Sequence, residues 1–169
     1  GFDCRNNVFY VEAKTASKDG TFARSVLFYA AALGILQDPV TRTQKYFRGH
    51  SDDIVSMAVH KGESCEDGVD AIVATGQQGI GSTFVWEVPS MKTLAVLKSK
   101  QKNVHMLEFS KDGRKLFSLS EDNQVAVSDW KSQTVLSVTK GEPARYGSSP
   151  KVDRRFCGAC GAGIYATAP

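Results

Sequence analysis

Apolar positions along the chain fall in short runs, each closed by glycine, proline or charged residues. After Gly49-His50, the residues Ile54, Met57 and Val59 stand at nearly alternating spacing, which predicts a strand with one buried face. The polar stretch from Lys61 to Asp70 predicts a loop, and Ala71 to Gly76 ("AIVATG"), rich in β-branched residues, predicts a second strand. "QQGIGS" reads as a turn, Thr83 to Val88 as a third strand, "PSMK" as a turn and Thr93 to Lys98 as a fourth.

The same order then returns. "NVHMLEFS" matches "DIVSMAVH", with Val104 at Ile54, Leu107 at Met57 and Phe109 at Val59. "KDGR" predicts a tight Asp-Gly turn. "KLFSLS" (Lys115 to Ser120) aligns with "AIVATG", "VAVSDW" (Val125 to Trp130) with "TFVWEV", and "TVLSVTK" with "TLAVLK". A further copy begins after Gly141 and stops in "RFCGACGAGIYATA". Four strands per unit, repeating every ~40–45 residues, predict an all-β protein built from blades of a β-propeller.

The segment before Gly49 does not repeat. Asn6 to Ala13 reads as a strand, and Thr41 to Phe47 as an outer strand leading into the next blade. Ser25 to Asp38 ("SVLFYAAALGILQD") fits either a buried helix or two strands. Its aromatic and β-branched ends, with Gly34 inside and Asp38-Pro39 closing it, favour strands. The resulting division is 1–48 for strands completing the propeller, 49–98 and 99–140 for two blades, and 141–169 for the start of an incomplete one, about three blades in all. Three blades cannot close a ring, since propellers have at least about four, so the remaining blades of its own chain are expected as partners of these. The opening Gly1-Phe2-Asp3-Cys4, with no basic-then-apolar leader, reads as a stretch of a longer protein.

The repeat gives Gly49 and His50 structural roles. In a WD-repeat blade such a histidine bonds a Ser or Thr, which connects to an Asp in a later turn and a Trp on the third strand. Here His50, Thr75 and Trp86 fill three places, and no Asp stands in "GQQGIGS". In the second blade Asp122 and Ser118 or Ser120 fit, but Lys100 stands at the histidine position and Ser128 at the tryptophan position. Asp52-Asp53 reads as a turn and capping pair, since adjacent strand residues point to opposite faces.

Composition narrows the remaining choices. The 169 residues carry a net charge of +3, too small to point to nucleic acid. The longest apolar run, Val26 to Leu36, is well short of the ~20 residues that span a bilayer, so no membrane partner is expected. Four cysteines, Cys4, Cys65, Cys157 and Cys160, are expected to be reduced. Cys157 and Cys160 have C-x-x-C spacing, but no second pair completes the roughly four ligands zinc requires, so no metal or cofactor is expected. No Ser/His/Asp grouping is legible, and "GQQGIGS" lacks the lysine of a phosphate loop; no enzyme is expected. Lys98, Lys100 and Lys102 lie in "KSKQKN", expected as an extended loop that points all three one way, and Lys111, Arg114 and Lys115 follow on the next turn. They are the candidate contacts for an acidic partner.

Several motifs resemble one family. Cys4-Arg5-Asn6-Asn7, Thr43-Gln44, Phe47, Gly49-His50, Asp52-Asp53-Ile54 and Ala74-Thr75-Gly76-Gln77 stand in register with the hydrophobic (HELP) motif and first WD blades of the echinoderm microtubule-associated protein-like family. The resemblance covers Gly1 to about Val138. Three departures stand out: a longer loop from Lys61 to Asp70, Ser128-Asp129-Trp130 in place of Trp-Asp-Trp, and no counterpart in these residues of the family's coiled coil and basic linker. The resemblance implies a non-enzymatic propeller that binds tubulin and decorates cytoplasmic or ciliary, axonemal microtubules with other cytoskeletal proteins. The alternative is a WD scaffold that joins other proteins without touching tubulin.

Overall fold

The alternation of apolar and polar positions is realised entirely in strands. The computed structural model describes residues 7–13, 23–61, 69–140, 144–149, 152–156 and 163–167. Among them every helix or strand is a strand. The first sheet holds β1 (Val8–Glu12), β2 (Arg24–Ala30), β3 (Leu33–Gln37) and β4 (Gln44–Phe47), hydrogen-bonded in that order. The second holds β5 (Ile54–His60), β6 (Ala71–Gln77), β7 (Ile80–Val88) and β8 (Thr93–Lys102). The third holds β9 (Val104–Phe109), β10 (Lys115–Ser120), β11 (Gln124–Asp129) and β12 (Thr134–Lys140). Each is a meander in chain order, the form of a propeller blade.

The apolar run at Val26 to Leu36 is two strands, β2 and β3, paired antiparallel from Val26↔Gln37 to Ala30↔Leu33. Three boundaries differ from the sequence reading. "QQGIGS", expected as a turn, is one only at Gln78 and Gly79, since Gln77 ends β6 and Ile80 already opens β7. The strand expected from Thr41 begins only at Gln44, because the Asp38 carboxylate accepts the N–H groups of Val40 (2.8 Å) and Thr41 (3.1 Å) and holds the segment as a turn. Those N–H groups, Thr41 first, keep the Asp38 carboxyl below its usual range. The expected loop "KSKQKN" is instead the end of β8, which bulges and re-pairs at Ile80↔Lys102.

The second sheet is buried on both faces. Against one face lie Val11, Leu27, Leu36 and Phe47, packed on Met57, Ala71, Val73, Trp86 and Val88. Against the other, Ala58, Ile72, Ala74, Val85, Ala95 and Leu97 meet Val104, Leu107, Phe109, Leu116 and Trp130 of the third sheet. This is why Ala71 to Gly76 are buried without interruption while β10 alternates between exposed and buried positions. Fully buried Trp86 stacks on Phe47 with ring centroids 4.5 Å apart and planes within 1°. An indole of that size contributes roughly 4–6 kcal/mol of gross transfer free energy. Gly34 makes room for it, since a Cβ there would stand 2.8 Å from Trp86 Cζ2.

Backbone and polar links join the sheets. The Ile54 N–H donates to Ala31 C=O at 2.9 Å, and the Ser56 hydroxyl donates to Val104 C=O. At the opposite strand ends the His60 imidazole lies on Gly113, and Trp130 Nε1 donates to the Gly113 carbonyl at 2.7 Å.

Thr139 to Pro169 form a separate compact unit. Its described part is an antiparallel sheet of β13 (Ala144–Ser149), β14 (Val152–Phe156) and β15 (Gly163–Thr167). All four cysteines lie outside the described residues.

Two glycines with positive φ allow a controlled comparison. Gly79 (φ +76) has open space, since a Cβ there would meet only Asp52 Oδ2 at 3.9 Å, so Gly79→Ala costs only the left-handed backbone, about 1–2 kcal/mol. Gly113 (φ +69) carries that cost and also a clash with His60, adding about 1–3 kcal/mol. Urea unfolding of both variants is expected to place Gly113→Ala clearly below Gly79→Ala.

Candidate functional site

Two buried polar relays tie the sheets together, one from the segment after β4 to the second sheet and one from the end of β8 to the third. In the first, the segment after β4 brings His50 over β6 and β7. Gly49 is needed for close packing, since a Cβ would press on the rings of Phe47 and Phe84. His50 is 8% exposed and meets Phe84 (centroids 4.6 Å) and Phe47 (5.9 Å) edge-on. Trp86 Nε1 can only donate, and it donates to Thr75 Oγ1 at 3.0 Å. The Thr75 hydroxyl then gives its proton to His50 Nε2, 2.7 Å away, and the ring proton sits on Nδ1, facing Gln77 Oε1 at 3.0 Å. Gln77 therefore occupies the place where the sequence reading sought an aspartate. With burial the larger effect, His50 is held below its ordinary pKa and is a neutral imidazole.

The second relay corrects the sequence alignment. Met57 faces Thr75 and Leu107 faces Ser118, so Ser118 is the structural counterpart of Thr75. The alignment of "KLFSLS" with "AIVATG" is therefore one residue out. Lys100 does not hold the histidine place either: Gln101, 3% exposed, does. Its Oε1 accepts from Ser118 Oγ at 2.7 Å, and its Nε2 donates to Gln124 C=O at 2.9 Å. Ser120 Oγ donates to Asp122 Oδ1 at 2.5 Å, so both Ser118 and Ser120 take part. Ser128 faces Leu116 as Trp86 faces Val73, and so stands in the tryptophan place as the sequence indicated. Asp52 and Asp53 cap the turn: Asp52 Oδ1 accepts the Asp53 N–H at 2.8 Å, and Asp53 C=O accepts the Gln78 N–H at 2.8 Å.

The six cations do not form one cluster. Lys98 and Lys102 are exposed on β8, with Lys100 between them on the strand. Exposed Lys111, Arg114 and Lys115 lie past the far end of β9, about 20 Å away at ~3.3 Å per residue. That second group also encloses an anion. The Ser110 hydroxyl and then the Arg114 N–H keep the Asp112 carboxyl below its usual range, and Arg114 Nε lies 3.9 Å from it. Among the described residues, no group of three or more His, Cys, Asp or Glu could hold a metal ion, and no helix is long and apolar enough to cross a membrane. Gln77, although quoted in the family motif, and Gln101 were not read as relay members because glutamine is absent from the pattern sought, and Gln124 joins through its backbone carbonyl, which no side-chain pattern shows.

Comparison with known proteins extends beyond these motifs. The 77 kDa echinoderm microtubule-associated protein of Strongylocentrotus purpuratus is 31% identical over 153 residues, covering 83% of this chain and 20% of the relative. Echinoderm microtubule-associated protein-like 4 of Mus musculus is 28% identical over 156 residues, covering 83% of this chain and 14% of the relative. Echinoderm microtubule-associated protein-like 2 of Rattus norvegicus is 28% identical over 145 residues, covering 77% of this chain and 19% of the relative. The chain is similar to echinoderm microtubule-associated proteins. It spans about a fifth or less of the length of these relatives. No protein-family model matches the chain. The three sheets and the His50 relay make the fold that of a partial WD-repeat β-propeller.

Removing the relay's centre leaves two buried groups without partners. Thr75→Val, of nearly equal volume, is expected to lower unfolding free energy by about 2–4 kcal/mol in urea titration. The histidine also sets an acid limit. Because its folded pKa lies below the ordinary 6.5, the unfolded chain takes up the proton first as pH falls. His50's contribution is intact above pH 6.5 and is lost progressively below it. In Gln77→Glu a carboxylate faces Nδ1 and favours the imidazolium, so the acid-side loss measured by thermal melts between pH 7 and 5 is expected to shrink relative to the wild type.

Proposed function

We propose that the chain is part of a non-enzymatic microtubule-associated propeller that binds tubulin. The observation that carries this is the similarity over 83% of the chain to proteins named as microtubule-associated, at 31% and 28% identity. The first 48 residues take the place of that family's HELP motif, and the sheets β5–β8 and β9–β12 that of its WD repeats. The setting is the cytoskeleton of the cytoplasm, including the axonemal microtubules of cilia, alongside other cytoskeletal proteins. No nucleic acid or membrane enters this reading.

Lys98, Lys100 and Lys102 are the proposed contact with acidic tubulin. They stand on β8, the last strand in the hydrogen-bonding order of its sheet, with Lys98 and Lys102 open to solvent. Lys111, Arg114 and Lys115 are the weaker candidates, because Asp112 stands among them and offsets part of their charge. Exposed charge contacts contribute only ~0.2–1 kcal/mol each, so the change must be made to a group.

Co-sedimentation with microtubules at two salt concentrations tests both statements. Reversing Lys98, Lys100 and Lys102 together to glutamate is expected to weaken pelleting at least about fivefold and flatten its salt dependence. Reversing Lys111, Arg114 and Lys115 is expected to leave it near wild type. Equal pelleting of the wild type and the first variant rules out β8 as the contact. A wild-type chain that stays in the supernatant favours the scaffold role without tubulin.

A further inference from the structure

The strands β4, β8 and β12 each stand last in the hydrogen-bonding order of their sheet. At the opposite end β5 and β9 face each other, and the Ser56 hydroxyl donates to Val104 C=O. The outer strands and their flanks share one composition. Residues 39–51, 91–103 and 131–141 hold three, four and two lysines or arginines respectively, and no aspartate or glutamate. The whole chain, by contrast, carries 18 acidic residues against 21 basic ones. Acidic residues are thus kept to the inner strands and the turns.

The nearest anions are engaged in those turns. At or beside the end of the third strand of each sheet stands one acid, Asp38, Glu87 or Asp129. Each caps the turn into the outer strand. Asp38 accepts the Val40 and Thr41 N–H groups, Glu87 the Ser90 hydroxyl (2.6 Å) and Asp129 the Ser132 N–H (3.1 Å). Near Lys102, Glu121 is engaged by the Asn103 amide. Beyond the turns stand exposed Lys45 on β4, Arg48 just after it, and Lys98 and Lys102 on β8. Lys45 Nζ donates to Pro89 C=O (3.2 Å), and Arg48 lies over the Tyr46 ring, 5.2 Å from its centroid. Both partners are neutral; among the described residues, Arg24 with Glu12 and Arg114 with Asp112 are ion pairs elsewhere. The Lys45 bond also joins the two outer edges, since Pro89 lies in the turn that leads into β8. Sheets in this chain stack face on face, so a further sheet of the same protein leaves these edges open.

We propose that β4 and β8 form one basic rim, on which Lys45 and Arg48 act with the β8 lysines to hold an acidic protein surface across two sheets. This rim rests on the tubulin reading above and extends that contact to β4. Spacing decides the class of partner. Lys45 and Arg48 are three residues apart and Lys98 and Lys102 four, about 10 and 13 Å along extended strands. Double-stranded nucleic acid presents a charge every ~1.7 Å of its axis, so cations this sparse neutralise little of it. The scattered carboxylates of an acidic protein surface suit such separations.

Two assays on the full chain test the rim, fluorescence anisotropy with labelled poly-L-glutamate and co-sedimentation with microtubules. The variants are Lys45→Glu with Arg48→Glu, Lys98→Glu with Lys102→Glu, and all four together. All four side chains are exposed, and circular dichroism verifies the fold; the corresponding glutamine variants replace any pair that fails this check. Each pair is expected to weaken both kinds of binding about threefold or more, and the four together at least about tenfold, with the salt dependence flattened at each step. A β4 pair that leaves both assays at the wild-type level overturns the rim, even where the β8 pair weakens pelleting and so upholds the tubulin reading. Poly-glutamate binding that falls as expected, with a wild type that does not pellet, upholds the rim and removes tubulin as its partner. A duplex DNA fragment bound more tightly than poly-glutamate at equal salt overturns the proposal in favour of nucleic acid. A wild type that binds neither poly-glutamate nor microtubules overturns it outright.

Discussion

Burial of both faces of the β5–β8 sheet is the constraint from which the rest of the β1–β12 structure follows. A four-stranded meander has two faces, and its continuous apolar strand β6 makes both of them costly to leave in water. Its neighbours are thus a condition of its stability. The two interfaces meet the demand differently. One is built around large rings, Trp86 on Phe47 with Gly34 making space beneath. The other uses Ala58, Ala74 and Ala95, whose small side chains let Leu107, Phe109 and Leu116 approach. Close packing of either kind leaves no room for added atoms, which is why Gly34, Gly76 and Gly113 each lie against a neighbour that a methyl group would strike.

Tight apolar packing creates a second requirement, that every polar group carried inside be paired. The segment after β4 and the end of β8 each bring a polar side chain inside where one sheet meets the next. His50 and Gln101 perform this task with different chemistry. The imidazole needs an acceptor on one nitrogen and a donor on the other, supplied by Gln77 and Thr75. The amide of Gln101 offers both functions at one end and reaches Ser118 and Gln124 directly. An uncharged amide in either place avoids burying an unpaired charge, at the expense of the firmer hold an aspartate would give a histidine. Asn103 completes the junction between the second and third sheets in a left-handed conformation (φ 49), with its N–H donating to Gly79 C=O at 2.9 Å.

Rigid blades joined in this way place function in what they display. The two groups of cations stand on different sheets, Lys98, Lys100 and Lys102 on β8 of the second and Lys111, Arg114 and Lys115 at the turn from β9 to β10 of the third. The same stacking that rigidifies the interior leaves an apolar face at each end of the three-sheet array.

Much of the first 138 residues was legible in the sequence. Short alternating runs, turn residues and a recurring strand order depend on local chemistry and on a two-residue period, so they identified the strands of all three sheets and the strand character of Val26 to Leu36. His50, Thr75 and Trp86 were legible because their identities and spacing match a known pattern. What the sequence left open was register and reach. A slip of one residue along β10 moves every side chain to the other face, and only the pairing of Leu107 with Ser118 settles it. A bulge in β8, between its pairing with Ser82 and its pairing with Ile80, sets the register in which Gln101 is buried. The separation of Lys102 from Lys111 is a matter of strand length in space, although few residues lie between them in the chain. Local chemistry decided which elements form; the choice of partner across a sheet or between sheets depends on contacts distant in sequence, and only the tertiary structure decided it.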